Sequence, residues 1–164
     1  MIQVVIITVS DSAVAGTRAD RSGPALRARV EALGWSVRAQ ELIADERDRI
    51  AALLRRWSDL PETLVILTTG GTGVALRDVT PEATRDVIER EVPGLGELMR
   101  VEGRKATPFA VLSRGLAGLR GQTLIVNLPG SPKGAVESLD SIANLIPHIV
   151  DLLEGRTSHA NVSN

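Results

Sequence analysis

Apolar positions along the chain follow two rhythms, short near-continuous runs and longer segments repeating every three to four residues, and their alternation predicts strands followed by helices. Residues 2–9 (IQVVIITV) are almost unbroken in apolar and β-branched side chains, the pattern of a strand covered on both faces in a parallel sheet. The run ends in Ser10-Asp11-Ser12, and residues 13–21, with Gly16 and several polar side chains, read as a loop. Ser22-Gly23-Pro24 opens a helix with Leu26, Val30 and Leu33 on one face and Gly34 at its end. Residues 35–43 alternate and predict a second strand nearer an edge, after which Ala44-Asp45-Glu46 leads into a helix with Ile50, Leu53, Leu54 and Trp57 inward.

The centre of the pattern is residues 64–83. An apolar strand, 64–67, reaches Thr68-Thr69, then the turn Gly70-Gly71-Thr72-Gly73, then Arg77-Asp78, and then Thr80-Pro81, where Thr80 is placed to cap a helix and Pro81 to fill its first turn. That helix is expected to bury Ala83, Val87 and Ile88 and to stop at Pro93-Gly94, with a shorter helix over 95–103, a turn at Thr107-Pro108 and an apolar segment at 109–112. Residues 113–119 and 122–128 flank Arg120-Gly121 as a hairpin, which places one antiparallel strand in an otherwise parallel sheet. The second run leads into Pro129-Gly130-Ser131-Pro132, with Ser131 as helix cap and a helix end that favours an anion beside Lys133. The helix continues through Leu139 and Ile146, is restarted by Pro147 and ends before Gly155, leaving 156–164 as a polar tail expected to fray.

In sheets built from such units, ligands bind outside the carboxyl ends of the parallel strands. Four polar clusters follow strands in this sense: Ser10 to Ser12, Asp45, the segment from Gly70 to Asp78, and the segment from Asn127 to Lys133. Singly, each has an ordinary structural role, as tight turn, helix cap or surface charge, and Asp45 alone reads more readily as a cap than as a catalytic group. Together they predict one edge where glycine backbone amides take phosphates beside one or two carboxylates near magnesium.

Composition narrows the chemistry. The 164 residues, 43% of them hydrophobic, suit a single domain. A formal charge of -1 and 2% aromatic residues argue against nucleic acid or an anionic membrane as partner. The absence of cysteine removes thiolate metal sites and a thiol nucleophile. No leader-like segment and no apolar stretch of spanning length is recognised, so a cytoplasmic protein is expected. His148, flanked by apolar residues, reads as a packing or hydrogen-bonding residue, and no nucleophile-histidine triad pattern occurs. The glycine turn is neither GxxxxGK[ST] nor GxGxxG, which disfavours the common nucleotide-binding loops.

The segments TTGGTGVALRDVTPEAT (68–84), TVSDS (8–12), DRSG (20–23), LSR (112–114) and NLPGSPKG (127–134) resemble, in collinear order over about residues 3–154, the molybdopterin adenylyltransferases, the MogA, MoaB and gephyrin G-domain family. The resemblance implies a three-layer α/β/α domain over residues 1–155 with a mostly parallel mixed sheet, usually a homotrimer. It also implies Mg-dependent transfer of AMP from ATP to the terminal phosphate of molybdopterin, with release of pyrophosphate and contact with other cofactor-assembly proteins. Carried over by position, Asp45 and Asp78 are the catalytic and magnesium-holding candidates. Ser10, Asp11, Ser12, Gly70, Gly71, Thr72, Gly73, Ser113, Arg114, Asn127, Gly130 and Ser131 are the substrate-binding candidates. Ala44 stands where the family usually has proline before the first aspartate. The alternative is a non-catalytic molybdopterin-binding carrier or assembly protein of the same pathway.

Overall fold

A computed structural model describes residues 1–156. Six strands form one sheet in the order β2-β1-β3-β6-β5-β4: β1 (Gln3–Val9), β2 (Ser36–Ile43), β3 (Val65–Thr69), β4 (Arg90–Glu91), β5 (Ala117–Arg120) and β6 (Thr123–Leu128). The pairs β1·β2, β1·β3 and β3·β6 are parallel, whereas β5 runs antiparallel to both β6 and β4. The expected single antiparallel strand is therefore β5, and β2 lies at an edge as expected, with burial that alternates along it.

Successive strand residues point to opposite faces, and each face has its own apolar layer. Val4, Ile6, Val65, Leu67, Leu124 and Val126 pack beneath α2 (Ser22–Ala32), α5 (Pro93–Gly103), α6 (Pro132–Ile142) and α7 (Ile146–Leu153). Val5, Ile7, Val9, Ile66 and Ile125 pack beneath α3 (Arg47–Ser58) and α4 (Thr80–Arg85). The result is the three-layer α/β/α arrangement, and it explains why the central strands are apolar at nearly every position.

Several local expectations are corrected. The first residues of the expected loop at 13–21 belong to a short helix, α1 (Asp11–Val14), because the Ser10 hydroxyl accepts from the Ala13 N–H and closes a turn. The helix opened by Pro81 ends at Arg85, not at Pro93, and the chain then adds β4, whose two residues pair with β5 too briefly to leave a periodic signal. Thr80 does not cap α4: Val79 holds that position and the Thr80 hydroxyl instead donates to the Gly70 carbonyl at 2.9 Å. Residues Pro108–Leu112 form a 3-10 turn whose Phe109, Val111 and Leu112 are exposed. His148 is exposed rather than packed. Arg156 pairs with Asp151 and Glu154, and the rest of the expected tail, with His159, lies outside the described residues. Among the described residues no helix is long and apolar enough to cross a membrane.

Register levels the site. Val9 pairs with Ile43, Thr8 with Thr69, and Thr69 with Leu128, so β2, β1, β3 and β6 end side by side and their loops leave the sheet at one edge.

Candidate functional site

The loops after these four strands enclose a polar cavity of about 630 Å³. Its walls include Ser10, Asp11, Ser12, Asp45, Gly70, Gly71, Asp78, Gly130 and Ser131 from the expected set, together with Thr8, Thr69, Arg18 and Arg21. The β3 and β6 loops meet backbone to backbone: the Gly70 N–H donates to the Leu128 carbonyl at 3.2 Å, and a Cβ on Gly130 would stand 3.3 Å from the Gly70 Cα. Gly70 and Gly71 both have positive φ, +99° and +66°, which bends the turn around Thr80.

Both candidate carboxylates touch this turn. A Cβ on Gly71 would lie 3.1 Å from Asp45 Oδ1, and one on Gly73 would lie 2.8 Å from Asp78 Oδ2. Asp45 does not cap α3; Glu46 occupies the cap position, without a side-chain bond. The Asp45 carboxylate instead accepts from the Asp11 N–H at 2.9 Å, while the Asp45 N–H donates to Asp11 Oδ1 at 3.0 Å. Asp11 Oδ2 in turn accepts two bonds from Arg77, at 2.6 and 2.9 Å. Asp11 is thus engaged by the fold, and the Arg77 guanidinium holds its carboxyl below the ordinary aspartate range. Burial pushes the Asp45 carboxyl up against the pull of the Asp11 N–H, and the Asp11 and Asp78 charges raise it further. Asp78 Oδ2 accepts from the Ala75 N–H at 3.1 Å, closing the loop that carries it.

A second, apolar cavity of about 200 Å³ lies between α5, the 3-10 turn and α6, bordered by Met99, Phe109, Ala110, Ser113, Asn127 and Pro129. It shares Ser131 with the polar cavity. Ser131 caps α6 as expected, accepting from the Gly134 N–H at 3.1 Å. Lys133 lies outside both linings and faces Glu137 at 3.8 Å, so the expected lysine beside the helix end is turned away.

A family model described as a probable molybdopterin binding domain matches residues 5–148. The chain belongs to this family. It is 42% identical over 165 residues to a molybdopterin adenylyltransferase of Helicobacter pylori strain J99, covering 99% of this chain and 94% of the relative. It is 45% identical over 163 residues to the Drosophila melanogaster molybdenum cofactor synthesis protein cinnamon, of which it spans 27% while 96% of this chain is covered. Among solved structures, the molybdopterin biosynthesis enzyme MoaB of Thermus thermophilus matches with a TM-score of 0.89 and 52% identity, over 94% of this chain and 98% of that one.

In this member of the family not every expected site residue faces a cavity. Thr72, Gly73 and Arg114 line neither, while Ser113 and Asn127 border only the apolar one. Asn127 is a buried brace: its amide donates to the hydroxyls of Thr68 and Thr84 at 3.0 and 2.9 Å and accepts from the Leu116 N–H. Arg114 clamps the glycine loop by donating to the carbonyls of Gly73 and Asp78, both at 2.7 Å, and to the Glu82 carboxylate. The sequence reading assigned no role to Arg77, Glu82 or the two cavity arginines; Arg77 and Glu82 stand in the 68–84 segment and Arg21 in DRSG, whereas Arg18 lies in none of the quoted motifs.

The clamp yields a stability prediction. Arg114→Ala leaves the two loop carbonyls and Glu82 without their donor, and is expected to cost about 1–3 kcal/mol in urea unfolding. The Arg114 hydrogen bond holds the Glu82 carboxyl low. A depressed carboxyl contributes stability above its ordinary value of 4.5 and loses it as pH falls further. The difference in melting temperature between the parent protein and Arg114→Ala should therefore shrink on acidification through that range. A constant difference would show that the ion pair is not its source.

Proposed function

We propose that this domain, residues 1–155, transfers AMP from ATP to the terminal phosphate of molybdopterin and releases pyrophosphate. The observation that carries the reading is the contact of both Asp45 and Asp78 with the glycine turn, inside a cavity of a size that suits a nucleotide. The apolar cavity suits the flat pterin, with Ser131 at the junction where the pterin's phosphate would approach the nucleotide.

The attacking phosphate is already anionic near neutral pH, so the chemistry asks for alignment and charge neutralisation rather than a strong base. In-line geometry would be set by the Gly70-Gly71 backbone and the start of α6, which approach each other through Gly130. Asp45 and Asp78 are the residues that would hold magnesium. Each carboxylate has one oxygen, Asp45 Oδ1 and Asp78 Oδ1, outside the hydrogen bonds of the described residues. Burial, and after it the charges of Asp11 and Asp78, push the Asp45 carboxyl up, a cost of the kind a cation relieves. Among the described residues no group of three or more potential ligands occurs. Two carboxylates fit magnesium, which keeps waters and binds substrate phosphates, better than a metal needing a full protein cage. When bound, the ion would neutralise charge on the phosphates.

A homotrimer and cytoplasmic location belong to the same proposal, and exposed Phe109, Val111 and Leu112 supply an apolar face for subunit contact. The test is incubation of the purified protein with molybdopterin, ATP and magnesium, followed by mass spectrometry for adenylylated pterin and assay of pyrophosphate. Adenylylated product supports the reading. Molybdopterin binding without any transfer overturns it in favour of the carrier.

A further inference from the structure

Most arginines and lysines of this chain are held in ion pairs or hydrogen bonds, such as Arg47 with Asp86, Arg77 with Asp11 and Arg120 with Asp59. Among the described residues, the side chains of Arg18, Arg21, Arg90 and Arg104 are engaged in none. Two of these four, Arg18 and Arg21, line the polar cavity, and among the described residues they are the only cationic ones that do.

Their backbone is fixed although their side chains are not. The N–H groups of Thr17 and Arg18 donate to the Ser12 carbonyl at 3.0 and 3.2 Å. Asp20, the one carboxylate between the two arginines in sequence, already accepts from the Thr8 hydroxyl at 2.9 Å and the Gly23 N–H at 3.0 Å. A tethered segment carrying two uncommitted guanidiniums on the wall of a cavity loses little further freedom when it takes a ligand. Guanidinium is the side chain best shaped for bidentate binding of phosphate oxygens.

We infer that Arg18 and Arg21 form a cationic arm that receives the β- and γ-phosphates of the nucleoside triphosphate and stabilises pyrophosphate as it departs. This rests on the adenylyl-transfer reading above. In that step an oxygen of the pterin's terminal phosphate bonds to the α-phosphorus. The bond from the α-phosphorus to the bridging oxygen breaks, and that oxygen leaves with its electron pair on pyrophosphate. No proton has to move, and negative charge accumulates on the leaving group. Asp45 and Asp78 repel that charge, and Lys133 is turned toward Glu137, so the two arginines are the side chains of this cavity able to neutralise it.

The test is calorimetric titration of inorganic pyrophosphate, ATP and AMP into the parent protein and the double variant Arg18→Gln/Arg21→Gln, in EDTA so that no metal contributes. The double variant is expected to bind pyrophosphate and ATP about tenfold more weakly or worse while its AMP affinity is kept, which also reports an intact fold. Arg90→Gln, at the far sheet edge, should match the parent. Unchanged pyrophosphate and ATP affinity, or an equal loss for AMP, overturns the arm. The two proposals fail separately. A parent that transfers AMP while the arginine variant binds pyrophosphate normally removes the arm alone, and a parent that binds pyrophosphate through the arginines but forms no adenylylated pterin removes the reaction alone.

Discussion

Asp45→Asn and Asp78→Ala are each expected to lower AMP transfer by about 10²–10³-fold while leaving molybdopterin binding largely intact. Asparagine at 45 keeps an oxygen to accept from the Asp11 N–H, so the substitution removes charge with the local bonding preserved. The proposed reaction depends on neutralising phosphate charge at a fixed place, which makes the carboxylates, and not merely the shape of the cavity, the quantity under test. A second signature separates function from folding. The Asp45 carboxyl is raised chiefly by burial. A raised acid contributes stability below the ordinary aspartate range and loses it as pH rises through its folded value, so near neutrality the fold carries this charge at a disadvantage. Asp45→Asn should therefore melt no lower than the parent at pH 7, and its advantage should fade on acidification. Turnover retained in a folded Asp45→Asn would remove Asp45 from the machinery.

The same residue marks how far the sequence could be read. That Asp45, Asp78 and the glycine turn meet at one sheet edge was legible, because four apolar runs each ended in a polar cluster and parallel strands deliver such ends to one side. How Asp45 is held was not. A polar residue just before an amphipathic helix looks like a cap, and the reciprocal bonds with Asp11 join residues 34 positions apart, beyond the reach of any local pattern. Thr80 carries the same lesson: a residue beside Pro81 suits a helix cap, yet its hydroxyl serves the Gly70 carbonyl, ten residues earlier. The apolar cavity left no periodic trace, since α5, the 3-10 turn and α6 contribute a few residues each. Arg114 was named for a ligand because its motif matched, but its guanidinium binds the loop itself. Motif matching locates a residue in the site without telling whether it touches the substrate or holds the residues that do.

Gly70→Ala is expected to cost about 4 kcal/mol or more, a loss at the exceptional end for one added methyl group. Two separate penalties combine. The residue has a φ of +99°, which a side chain tolerates only at about 1–3 kcal/mol. The added Cβ would also sit 2.2 Å from the Val9 carbonyl oxygen, a backbone atom at the end of a central strand that cannot rotate aside. Gly121→Ala isolates the first penalty: it too has a positive φ, +53°, but a Cβ there meets nothing within 4 Å, so it should lose only about 1–2 kcal/mol. Gly73→Ala isolates the opposite case. Its Cβ would press on Asp78 Oδ2 at 2.8 Å, a side chain that can give way, so the fold should survive while the carboxylate shifts and turnover falls. Denaturant midpoints and AMP-transfer rates across the three variants test the series. Equal destabilisation by Gly70→Ala and Gly121→Ala would mean that the β1 end yields to the methyl group, and that the glycine turn is held by conformational preference alone rather than by its seat against β1.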